Sequence, residues 1–191
     1  MPKPFWYYVD FVESPTTQEE RKNNLDSIRG YILGNNIEIT PYALAAIIAT
    51  AGVLSAYDPS YMSMNWHYDR WDEGVTYPAY GFWLYDSSYI PAENQVENLI
   101  TTLKTGSGYI PTVAPFTARE FCNSGDNRDL VFAFIQNYSL GDWPKPEFSS
   151  NFLQECIRQY ENIKTYILTT FPRLSPVAIS ILKKHKKRWW K

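Results

Sequence analysis

Between Thr40 and Pro59 the chain reads TPYALAAIIATAGVLSAYDP, and from Tyr42 to Ala56 no helical face of it is polar. Thr50 and Ser55 are the only polar side chains in that stretch. Thr40 suits a helix N-cap, and Pro41 suits the first turn, where a missing N–H costs nothing. A helix that is apolar all round is usually buried within a larger core. The run falls short of the roughly eighteen apolar residues that argue for a membrane span. The stretch therefore predicts the central helix of an all-α domain, with six alanines that let neighbouring helices approach closely. Tyr57-Asp58-Pro59 is its expected exit, because proline disfavours a helical residue before it.

A core large enough to enclose such a helix is available. The 191 residues suggest one domain with extensions, and 45% of them are hydrophobic. Aromatic residues are abundant, with 15 Tyr, 10 Phe and 7 Trp, enough to fill a core and still line a binding surface. Net charge is −2, but its distribution is uneven. Lys183, Lys184, Lys186, Lys187, Arg188 and Lys191 crowd the end of the chain, leaving 12 basic against 20 acidic residues before them. Cys122 and Cys156 are the only cysteines, and their spacing matches neither a disulfide framework nor a metal site. They read as reduced core thiols. The N-terminal MPKPFWYYVDFV has no charged n-region and no clean apolar run, so no secretory leader is expected.

Residues 1–16 read as an extended arm, 17–172 as a helical domain and 173–191 as a basic C-terminal helix or tail. The first helix is expected from Thr17, where Glu20 completes a capping box, and Leu25, Ile28 and Ile32 form its stripe. Residues 60–90 show no sustained period and read as a long aromatic loop. Helices are expected from Pro91 through Leu103, near Thr117–Cys122, and from an Asp126 cap to Tyr138. A long helix follows from about Ser150 to Phe171, with Asn151 and Gln154 as its capping box and Leu153, Ile157, Tyr160, Ile163 and Ile167 as its stripe. Ser175-Pro176 opens a last helix that runs into the basic end.

Few residues suit chemistry. There is no Gly-rich phosphate loop and no GxSxG, and no cofactor is expected. His67 lies near Asp69, Asp72 and Glu73, but such a loop is more often a solvated acidic turn, and no metal is assigned. Carboxylates remain. Asp58, at the helix exit, and Asp86, after the aromatic run, are placed to act as a glycosidase acid if an apolar pocket raises their pKa. Each also fits a turn or cap. Among the aromatics, Trp66, Tyr80, Trp83 and Tyr85 suit either a sugar platform or the core.

Three stretches together resemble the phage tail lysozyme domain, a peptidoglycan-cleaving module of phage tail tips. AAIIATAGVLSAYDP (45–59) is similar to the family's buried helix ending in Glu-Ser-x-x-Asn-Pro. YGFWLYD (80–86) is similar to its Gly-Tyr-Gly-Leu-x-Gln-Trp-Thr segment. FTAREFCNSGDNRDLVFAFIQNY (116–138), with the helix after it, looks like the family's Phe-x-x-Phe, helix, Tyr-Tyr-Glu, helix ending. The resemblance implies a lysozyme-like helical fold, a virion location at the tail after assembly in the host cytoplasm, and partners among other tail proteins. Leu54 stands where the family has its catalytic glutamate, Leu84 replaces its glutamine, Tyr85 its tryptophan and Ser139 a later glutamate. Leucine can neither give nor take a proton. The expectation is thus a catalytically inactive tail protein with a structural or wall-glycan-binding role. The alternative is an active peptidoglycan glycosidase, a muramidase or transglycosylase, with its acid relocated to Asp58 or Asp86. Lys183, Lys184, Lys186, Lys187, Arg188 and Lys191, flanking Trp189 and Trp190, suit docking on an acidic neighbouring subunit or binding teichoic acid, and less readily nucleic acid.

Overall fold

Local signals decide the first two helices. The computed structural model describes residues 15–66, 77–83, 85–86, 95–105, 112–113, 116–134 and 150–170. Helix α1 spans Gln18–Gly34, and Thr17 caps it with both bonds of the expected box: Glu20 N–H to Thr17 Oγ1 at 3.2 Å and Thr17 N–H to Glu20 Oε2 at 2.7 Å. Leu25, Ile28 and Ile32 are fully buried, as the stripe predicts. Helix α2 spans Pro41–Ser55 behind the Thr40 cap, and every residue from Ala43 to Ser55 is buried. Its start is anchored from elsewhere in the chain. Thr40 N–H donates to Cys122 O at 2.8 Å, and its hydroxyl donates to Ser124 O at 2.6 Å.

Four further helices are described. They are α3 (Gln95–Thr105), α4 (Ala118–Cys122), α5 (Asp129–Phe134) and α6 (Ser150–Thr170). Helix α6 is the main neighbour of α2, with α5, α1 and α4 completing the jacket. Cys156, Tyr160, Ile163 and Ile167 recur at helical spacing on α6 and are wholly buried. Each large aliphatic side chain sealed this way contributes about 1.5–3 kcal/mol. Arg29, itself buried, ties α1 to the end of α6 by donating to Thr170 Oγ1 and pairing with Asp26 at 3.1 Å. Both cysteines are free and buried. The architecture is all-α, and no described helix is long and apolar enough to cross a membrane.

Three expectations need correction. The stretch read as an irregular loop contains an antiparallel sheet of β1 (Met62–Trp66), β2 (Tyr77–Tyr80) and β3 (Tyr85–Asp86), in the order β1-β2-β3. Its pairing slips between Ser63 and Trp66, so Met64 and Asn65 together oppose Pro78. Proline has no N–H for a ladder, and a bulge is where a strand tolerates it. A two-stranded pair, β4 (Thr112–Val113) and β5 (Phe116–Thr117), precedes α4. Asp126 does not cap α5. Asn127 Oδ1 accepts the Asp129 N–H at 2.8 Å instead, while Asp126 bonds to Tyr160 and Lys164 on α6. Asn151, expected to cap α6, lies one residue inside it. Residues 1–14, the His67 cluster, 135–149 and the basic end from 171 onward fall outside the described residues.

Candidate functional site at the exit of the central helix

The end of α2 is held in an uncommon backbone shape. Ala56 (φ 51°) and Tyr57 (φ 58°) both adopt the left-handed conformation. That conformation costs an L-residue roughly 1–2 kcal/mol, and only strong surroundings maintain it. Those surroundings come chiefly from α1 and the residue before its cap. Asn24 Nδ2 donates to Tyr57 O at 2.8 Å, and the Thr16 hydroxyl donates to Ala56 O at 3.3 Å. Arg21 Nε donates to Thr16 Oγ1 at 3.2 Å. Within α2, Ala56 N–H closes onto Gly52 O at 2.8 Å, and the buried Ser55 hydroxyl donates to Ala51 O at 2.7 Å.

Tyr57 turns back under the helix and is entirely buried. Its hydroxyl has no hydrogen-bond partner among the described residues. Burial drives its pKa well up, with the Arg21 charge opposing. This phenol therefore stays protonated and acts as packing, not as an acid at neutral pH.

Asp58 follows, largely buried, and its carboxylate accepts the Ser60 N–H at 2.9 Å. That contact makes the turn expected of Asp-Pro. The turn then reaches the sheet, because Tyr61 O accepts the Gly81 N–H at 2.9 Å. The helix exit and the β2–β3 corner are thus one joined feature.

Leu54 belongs to the hydrophobic core and is 2% exposed. Its aliphatic side chain offers no proton to any bound molecule. The four expected sugar-platform aromatics separate. Trp83 is not a surface group. It is fully buried, with Nε1–H donating to Thr50 Oγ1 at 3.2 Å, and its ring meets Phe82 and Phe134 edge-on. An indole that fills the core cannot stack on a ligand. Tyr80 stands opposite Tyr85 in the β2–β3 register, and Trp66 stands opposite Tyr77 at the other end of β2. Asp86 pairs across the same sheet with Ala79. Register thus brings Tyr80 and Tyr85 together and leaves Trp66 apart.

Sequence reasoning placed Tyr57 at this exit but missed its packing against Gly52 and the parts played by Arg21 and Asn24. The signal available was a glycine five residues before an aromatic residue that follows a helix end. Searches of protein-family models, curated proteins and solved structures yield no match to this chain.

Proposed function

We propose that this chain is a bacteriophage virion component of the tail, with a tail-lysozyme-like fold that serves as a structural or cell-wall glycan-binding part and performs no hydrolysis. Leu54 carries the proposal. The resemblance puts a catalytic glutamate at that position, and an aliphatic, core-buried residue occupies it. The nearest substitute, Asp58, has its carboxylate engaged in the turn to Ser60. A relocated acid several ångströms from the original position is a poor replacement, since about 1 Å of misplacement can cost a hundredfold in rate. Tyr80 and Tyr85, opposite one another in the β2–β3 register, are the aromatic residues this reading assigns to sugar contact. The basic residues from Lys183 to Lys191 supply the docking contact, on an acidic neighbouring tail subunit or on teichoic acid.

Purified protein added to a suspension of host cell walls tests this directly. Turbidity is expected to hold steady while the protein co-sediments with the walls or, in a purely structural role, labels the tail of intact particles. Loss of turbidity that disappears in Asp58→Asn or Asp86→Asn would establish the enzymatic alternative instead.

A further inference from the structure

A cleft of about 240 Å³ lies on another side of the molecule, between the α1–α2 link, the last turn of α3 and helix α4. Its apolar lining is Ile37, Leu103 and Cys122, all buried. Three exposed charged residues also line it: Lys104 from α3, Arg119 from α4 and Glu38 from the link. Among the described residues none of the three has an ion-pair partner. Lys104 has a local reason to be there, because a cation suits the C-terminal turn of a helix. Arg119 comes from α4, a helix of a single turn, so its charge is neither favoured nor opposed by a helix dipole. Two cations and one carboxylate without an ion-pair partner among the described residues, around one small cleft whose mixed lining Asn36 and Asn123 complete, are complementary to a ligand with the reverse pattern.

The geometry points to a binding site for a small aliphatic zwitterion: a carboxylate held by Arg119 and Lys104, an ammonium beside Glu38, and a short hydrocarbon body on Ile37 and Leu103. A free amino acid is the simplest member of this class. The volume falls below the roughly 300 Å³ at which drug-sized pockets begin, so the ligand is small. Glu38 disfavours a bare dianion such as phosphate, because like charge would face like charge. Burial pushes the Cys122 thiol up to about 11. It stays protonated and neutral, so the floor is apolar and binding is non-covalent.

The test is a thermal-shift and calorimetric titration of the full chain with L-norvaline, pentanoate and inorganic phosphate. Norvaline is expected to raise Tm saturably, with pentanoate and phosphate each roughly tenfold weaker or worse. Arg119→Ala and Glu38→Gln, both at exposed positions, are expected to weaken norvaline by about tenfold, the scale of one lost charge-assisted bond. Arg128→Ala, a cation outside the cleft, should leave norvaline affinity unchanged. A flat response to norvaline, equal affinity in Arg119→Ala, or phosphate binding as tight as norvaline would each overturn the assignment.

Discussion

The Tyr57 ring lies against the backbone of Gly52 so closely that a Cβ on residue 52 would sit 2.6 Å from the Tyr57 hydroxyl oxygen and 2.7 Å from the ring carbon bearing it. This contact explains the only glycine in α2. A residue best avoided inside a helix is kept because the chain folds back beneath it. Gly52→Ala is expected to destabilise by about 1–3 kcal/mol, since neither the backbone of α2 nor the buried ring can give way cheaply. Tyr57→Phe should behave oppositely. It removes a buried hydroxyl that has no partner among the described residues, so stability is expected to hold or rise by about 1 kcal/mol. Denaturant melts of the two variants check both signs, and a clear loss in Tyr57→Phe would mean that the hydroxyl has a partner in solution.

Trp83 makes a second prediction. Its indole N–H reaches Thr50 Oγ1, its backbone N–H reaches Gln95 Oε1 at 3.1 Å, and its ring packs on Phe134. Trp83→Ala should cost about 3–5 kcal/mol, the range for deleting a buried large aromatic. A surface platform residue would cost almost nothing. Chemical denaturation therefore separates a core role from a ligand-facing one, and Trp83→Phe should remove a fluorescence component that aqueous quenchers do not reach.

The helices and the sheet differ in how far they are legible in the sequence, and the difference has a physical cause. Thr17 with Glu20, and Thr40 with Pro41, state their helix starts within four residues, so both caps can be read locally. Tyr160, Ile163 and Ile167 are legible from their helical spacing, whereas Cys156, outside the expected stripe, is buried and Ile157, within it, is only half-buried. The β1–β2–β3 sheet is not, because the bulge opposite Pro78 breaks the two-residue period that would announce it. Trp83 is also opaque. Its indole finds a partner 33 residues earlier, which no local pattern records. The left-handed pair at Ala56 and Tyr57 depends on Asn24 and Thr16, again distant in sequence. At the candidate site, Leu54 is evident from residue type alone, whereas the support around Tyr57 required coordinates.

A pH prediction follows from Asp126. Bonds from Lys164 and Tyr160 hold its carboxyl below the ordinary 3.8. The unfolded chain therefore binds a proton more readily than the folded one near that pH, and stability rises with pH there. The contribution is present above about pH 4 and is lost as pH falls through the lowered folded value. Lys164, raised by Asp126 and Glu161, works at the other limit, where its contribution is lost as pH climbs above 10.5. Asp126 is half exposed, so the whole pair is worth about 0.2–1 kcal/mol at most. Melting curves from pH 2.5 to 6 should show a shallower acid decline in Asp126→Asn than in the wild type. Parallel curves would mean that the network carries no net stability.

Leu54→Glu tests the proposal that the exit of α2 is non-catalytic. If the exit of α2 were an open active site with only its acid missing, a glutamate there would cost little stability and confer some wall-clearing activity. Leu54 is instead packed among core residues. A glutamate at that position must desolvate, and it will either bind a proton or disrupt the core. The expected result is a loss of about 2–4 kcal/mol, greater at pH 8 than at pH 5 because the charged form is the one that burial penalises. No turbidity loss on cell walls is expected at either pH. Near-wild-type stability together with clearing activity would mean that residue 54 opens onto a working groove in solution, and the non-catalytic assignment would not survive it.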